Sequence, residues 1–164
     1  MEPYADAPAW AAALEASRLG VLMRGSFVLY PVANLGHILG LVLFAGCLVV
    51  LDLRLLGAWR RRIDAGALAQ ALAPLLVAGF LLLAATGTLL FSADARPLTA
   101  NPAFLAKAAL LALALANAVT FRRLWSRHLP SWDQTAPMAA RLQVASSLAL
   151  WLMVAAAGRL IGYL

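Results

Sequence analysis

Lys107 is the only lysine among thirteen Lys and Arg residues. It lies in an apolar stretch, Phe104 to Val119, read as long enough to cross a bilayer. A charged side chain near the bilayer centre costs roughly 3 kcal/mol or more, and less near the ends of a span. Such groups therefore face a bundle interior or a water-filled cavity and are functional candidates by default. His37 in the first apolar stretch and Arg159 in the last are two more. Tyr30, Asn34 and His37 follow one another at helical spacing, so they share one face. A neutral imidazole is a good ligand for haem iron or copper, and cationic Lys107 and Arg159 suit haem propionates or another anion. The candidate cofactor-binding set is thus His37, Lys107, Arg159, Asn34 and Tyr30, with His37 as the metal ligand. One histidine specifies no metal, so haem b, copper and no cofactor stay open, and no residue is assigned a catalytic role. The plainer readings are that Lys107 and Arg159 snorkel to headgroup phosphates, while His37 hydrogen-bonds Asn34, a threonine or a backbone carbonyl.

Gly36 and Gly40 flank the histidine. Small residues there admit either a neighbouring helix, as in Gly-x-x-x-Gly packing, or a flat cofactor such as a porphyrin. His37 lies about 10 Å inside Tyr30 at 1.5 Å per residue. Thr86, Thr88 and Ser92 of the second stretch fall in the same half of the membrane.

The class of protein follows from composition. The chain is 64% hydrophobic and 12% charged with a mean hydropathy of +0.86, whereas soluble domains carry about 25% charge. This is an integral membrane protein, predicted as an all-α four-helix bundle forming a single domain. Its surroundings are the lipid bilayer. The net charge of +6 comes from arginines in short runs beside apolar segments, as topology signals do, and not from a nucleic-acid face. The single Cys47 allows no internal disulfide and reads as packing.

Four stretches reach the ~20 residues a span requires: roughly 28–51, 71–92, 103–121 and 142–161. Arg54 and Arg60 to Arg62 follow the first, and Arg122, Arg123 and Arg127 follow the third, while the 93–102 connection holds only Asp94 and Arg96. The positive-inside rule then puts both termini and the 93–102 loop outside, which is the periplasmic face of a bacterial inner membrane. Trp59, Trp125 and Trp132 fall at the cytoplasmic interface, Tyr30 and Tyr163 at the other. On this topology His37, Lys107 and Arg159 share one side at similar depth.

Residues 7–24 are too short and too charged to span, and read as an amphipathic helix in the outer interface, with Gly20 and Gly25 turning the chain into the first span. The acidic Glu2 and Asp6 argue against a signal peptide, so the segment is expected to stay in the mature protein. Asp52 and Arg54 read as anchors, pairing with each other or across helices, and Asn117 as an interhelical hydrogen bond. His128 lies in the basic loop far from His37, which disfavours a bis-histidine site. Met23, Met138 and Met153 form no cluster for Cu(I), and no catalytic triad, Cys-x-x-Cys or Gly-rich phosphate loop is present.

The run Tyr30-Pro31-Val32-Ala33-Asn34-Leu35-Gly36-His37-Ile38-Leu39-Gly40, then Leu51-Asp52-Leu53-Arg54-Leu55-Leu56-Gly57, with Asn101-Pro102-Ala103-Phe104 and Lys107, resembles an uncharacterised family of small four-span bacterial inner-membrane proteins over nearly the whole chain. More distantly it is similar to two four-helix membrane groups, the copper-resistance protein D group and the haem-binding HemJ-type protoporphyrinogen oxidases. That resemblance implies a haem-ligating or metal-binding role for His37, with Arg54 as the basic residue ending the first span and Lys107 as the third-span lysine. Leu43-Phe44-Ala45-Gly46 departs from the Trp-x-x-Gly pattern of those groups. The expected function is therefore a cofactor-binding membrane protein. The alternatives are a non-catalytic subunit or assembly partner of a larger complex or homo-oligomer, and a small transporter acting as an oligomer.

Overall fold

The computed structural model describes residues 7–163, and among them the secondary structure is entirely helical. Eight α-helices follow in order: α1 Ala9–Ala16, α2 Arg18–Gly25, α3 Leu29–Leu55, α4 Ala65–Ala93, α5 Ala95–Ala100, α6 Pro102–Trp125, α7 Trp132–Thr135 and α8 Met138–Leu160, with a 3-10 turn at Ser126–Ser131. Four helical segments, carried by α3, α4, α6 and α8, are long and apolar enough to cross a membrane. Their outward faces are rich in exposed Leu, Val and Ile, the surface a bilayer solvates.

The four long helices form two close pairs, α3 with α4 and α6 with α8, and α3 joins the pairs through α8. Glycine makes the first pair tight. A Cβ on Gly79 would stand 2.7 Å from the Phe44 backbone nitrogen, and one on Gly40 would meet the Leu83 nitrogen at 3.1 Å. Gly36 faces the Thr86 methyl at 3.0 Å. Gly36 and Gly40 therefore serve helix packing, the first of the two uses their size allows. Phe44 then bridges the pairs, edge-on to Trp151 of α8 with centroids 4.7 Å apart.

One end of the bundle is locked around Arg54, whose side chain is fully buried. Its Nε donates to the Ile63 carbonyl, and its terminal nitrogens donate to both carboxylate oxygens of Asp133 at 3.2 and 2.6 Å. The partner is thus Asp133, in α7, and not Asp52. Trp132 beside it is 1% exposed and donates its indole N–H to the Leu55 carbonyl at 2.8 Å. It sits at the level the aromatic pattern indicates, but inside the protein, where this hydrogen bond satisfies a carbonyl at the end of α3. Gly57 completes that end: at φ 116° it lets its own N–H reach the Arg54 carbonyl and the Ala58 N–H reach Leu53, the Schellman closure that glycine favours. Trp125 donates to Gln143, and Asn117 and Gln143 exchange side-chain to backbone hydrogen bonds between α6 and α8, as expected of Asn117.

The other end is closed by the N-terminal segment, which is two helices and not one. Ser17 ends α1 and caps α2, its hydroxyl accepting from the Gly20 N–H. Gly20 packs so tightly that a Cβ would lie 2.5 Å from the Glu15 carbonyl and 2.7 Å from that of Ser92. Arg24 donates to the carbonyls of Glu15 and Ala93, capping the end of α4. Glu15 accepts the Arg96 backbone N–H at 3.0 Å and its Nε at 2.6 Å. Asn101 caps α6 through Oδ1 and reaches the Ile161 carbonyl with its amide nitrogen, which accounts locally for the Asn-Pro-Ala-Phe run.

Two predictions follow from these locks. Asp133→Asn strands a buried guanidinium and should cost roughly 3–5 kcal/mol, read as a lowered thermal midpoint in detergent. Burial by itself raises the Glu15 carboxyl, but hydrogen bonds from Arg96 and the charges of Arg96 and Arg24 more than offset it, holding the group below its ordinary 4.5. A depressed folded value means that the docking stability is fully present above about pH 4.5 and is lost as pH falls through the lower folded value. Protection factors for hydrogen exchange across α1 and α2, each taken relative to the intrinsic rate at that pH, should fall in acid and in Glu15→Gln at neutral pH; unchanged protection in both would show that the carboxylate does not hold the segment.

Candidate functional site

His37 emerges from the middle of the α3–α4 contact. Its Nδ1 lies 3.0 Å from the Thr86 hydroxyl, and that hydroxyl donates its single proton to the Leu82 carbonyl at 2.6 Å. The hydroxyl oxygen can therefore only accept from the ring, which puts the imidazole proton on Nδ1 and leaves Nε2 with a lone pair. Gly87 makes room for the ring: a Cβ there would stand 3.2 Å from His37 Cε1. Threonine and glycine on successive positions of α4 thus set the tautomer and the orientation of one imidazole.

Lys107 comes from the other helix pair. Its Nζ and Cε lie 3.5 and 3.6 Å from where a Cβ on Gly158 would be, so its stem crosses the α8 backbone at a glycine. It makes no hydrogen bond or ion pair with any described residue. Each helix pair thus contributes one group laid against a glycine, an imidazole with a free nitrogen at Gly87 and a lysine at Gly158.

The other three predicted residues point elsewhere. Arg159 is exposed, donates to the Tyr163 hydroxyl and holds its guanidinium carbon 4.8 Å from that ring's centroid, an i, i+4 cation–π pair near the end of α8. Tyr30 donates to Asp94 at 3.2 Å across the end of the bundle. Asn34 is exposed and has no hydrogen-bond partner among the described residues. His128 packs against Trp125 at the opposite end of the bundle from His37, its ring centroid 5.8 Å away. Among the described residues no hydrogen bond or ion pair joins any two of the five predicted residues.

Sequence reasoning missed a second polar cluster. Asp52 is only 6% exposed, lies beside Ser147 of α8 and has one carboxylate oxygen without a partner, as does the buried Trp151 indole nitrogen one turn further along α8. Asp52 reads as an interface anchor because it ends an apolar run; its burial depends on the approach of α8, ninety residues later in the chain, which no local pattern encodes. Among the described residues no group of three or more His, Cys, Asp and Glu side chains converges as a metal site.

This architecture places the chain among small multi-pass α-helical membrane proteins. The family of unknown function DUF6644 matches residues 9–164, and the chain belongs to it. No curated protein and no solved structure matches it significantly.

Because Thr86 sets the His37 tautomer, Thr86→Val should release it. In the nitrogen NMR spectrum of labelled protein, the native imidazole is expected as a single form protonated at Nδ1, and the variant as a mixture. A native ring protonated at Nε2 would overturn the assignment.

Proposed function

We propose that this protein is a cofactor-binding protein of a bacterial inner membrane, in which His37 Nε2 ligates the iron of a b-type haem and Lys107 faces an anionic group of the same cofactor. The observation that carries this reading is the hydrogen bond from His37 to Thr86. Metal-ligating histidines characteristically donate their second ring nitrogen to a fixed acceptor, which sets the tautomer and presents the other lone pair. Lys107 adds a cation unclaimed by any described residue, as a propionate or comparable anion requires.

The donor set favours haem over copper in this reading. Haem iron is satisfied by one axial imidazole, whereas a copper site draws on two or more soft or imidazole ligands, and His37 has no second histidine, cysteine or methionine beside it in the contacts described here. When bound, haem supplies one-electron redox chemistry; the chain's own residues hold and orient the imidazole and balance charge. The arginine distribution supports an orientation with this site in the periplasmic half of the membrane.

The test is the oxidised and reduced absorption spectrum of detergent-purified protein expressed with added haem, beside His37→Ala and Lys107→Met. A Soret band is expected in the native protein, abolished in His37→Ala and retained with weaker haem affinity in Lys107→Met. A colourless native protein sinks the proposal. It would favour a non-catalytic subunit of a larger assembly, for which the lipid-facing, unpartnered Asn34 amide is the supporting observation.

A further inference from the structure

The connection between α3 and α4 holds the feature that neither packing nor the haem reading uses. Arg60, Arg61 and Arg62 are all exposed, and none of their side chains makes a hydrogen bond or ion pair with a described residue. With Gly57 and Trp59 they line an open cavity of about 340 Å³. Asp133 takes its hydrogen bonds from both terminal nitrogens of Arg54, and Arg60 adds only a more distant charge to it, so the guanidinium groups of all three arginines keep their donors.

The backbone under the cavity is strained. Trp59 has φ 52°, and among the described residues it is the one non-glycine with positive φ. For an L residue the left-handed conformation costs roughly 1–2 kcal/mol, and a bulky residue there is a genuine outlier. The Schellman closure at Gly57 has already ended α3 and turned the chain, so helix termination does not require a second left-handed residue. What it does is bend the chain so that the Arg62 and Ile63 N–H groups bond back to the Trp59 carbonyl, gathering three guanidinium-bearing residues and an indole around one opening. Strain of this kind collects where a ligand is gripped.

The chemistry of the lining names the ligand class. Guanidinium groups recognise phosphate oxygens in a planar, bidentate manner that an ammonium cannot reproduce. A topology signal is served equally well by lysine, yet the chain's one lysine is inside a span and every basic position of its connections is arginine. Trp59, 47% exposed at the end of a membrane-crossing helix, is placed where indoles settle among headgroups.

We propose that the Trp59–Arg62 loop is a binding site for a phosphate-bearing anion, the headgroup of an acidic phospholipid. The site is at the opposite end of α3 from His37 and is independent of the haem reading. Its ligand is held by guanidinium to phosphate hydrogen bonds, with the Trp59 indole against the glycerol and upper acyl region.

The experiment is native mass spectrometry of the delipidated full-length protein titrated with short-chain phosphatidylglycerol, phosphatidylcholine or inorganic phosphate. The native protein is compared with the charge-conserving R60K/R61K/R62K variant and with Trp59→Gly. The native protein is expected to bind phosphatidylglycerol at least about tenfold more tightly than phosphatidylcholine. The triple lysine variant should lose most of that preference although its charge is unchanged. Trp59→Gly relieves the strain, so it should melt at a higher temperature while binding phosphatidylglycerol more weakly, which separates lost binding from lost folding. Failure of inorganic phosphate to displace the lipid identifies the headgroup as the ligand; full displacement assigns the same guanidinium site to free phosphate. Equal affinity for the two lipids, or a lysine variant as selective as the native protein, would overturn the proposal and leave the arginines as a topology signal.

Discussion

The rest of the structure depends on one buried guanidinium. Arg54 has no solvent exposure, and a buried charge is tolerated only when it is paired and its donors are satisfied. Ile63 and Asp133 meet that demand, and in doing so they fix three parts of the chain: the end of α3, the entry to α4 and the connection before α8. Trp132 is carried in beside Asp133 and meets the Leu55 carbonyl. Both helix pairs are therefore referenced to the same end of α3. In a bilayer, where helices gain little from hydrophobic association, such polar contacts and close backbone packing carry the specificity of assembly.

From that fixed end the half of the bundle that holds His37 and Lys107 is positioned by glycines. Gly79 and Gly40 bring α3 and α4 into backbone contact, and one to two turns further along α4 the same approach lays His37 against Gly87 and Thr86. Gly158 does the corresponding job for Lys107 on the second pair. The far end is closed by Arg24, Glu15 and Arg96, polar contacts outside the spans that hold the N-terminal helices over the end of α4. The candidate site thus lies between two clamps of different character, one a buried ion pair and the other a carboxylate whose contribution varies with pH.

The structure uses arginine in four distinct settings, and the surroundings of each residue separate them. Arg54 is consumed by the fold, Arg24 and Arg96 by docking of the N-terminal segment, and Arg159 by an exposed contact with Tyr163. Arg60 to Arg62 are left exposed around one opening with Trp59, whose backbone is strained. A basic connection in a membrane protein is ordinarily read as a single topology signal, but here its members do different work.

Within the sequence, the four apolar lengths, the arginine-rich connections and the separate character of residues 7–24 were legible because each depends on nearby residues alone: about 20 apolar positions span a bilayer whatever their neighbours are. His37, Lys107 and Asn117 were legible as outliers in such runs for the same reason. Which polar groups meet was not legible. Arg54 and Asp133 are 79 residues apart and Glu15 and Arg96 are 81 apart, and their pairing depends on how each helix is rotated about its axis. The break at Ser17 was hidden because α1 and α2 continue one apolar pattern, and only the contact of Gly20 with the Ser92 carbonyl shows why the chain bends there. Arg159 shares the chemical type of Lys107, yet helix rotation leaves one exposed and the other against Gly158. The sequence alone determined the membrane class, the spans and the polar residues within them, since those are local sums of transfer free energy. Only the tertiary structure decided their partners, because a hydrogen bond depends on direction and distance that hydropathy does not carry.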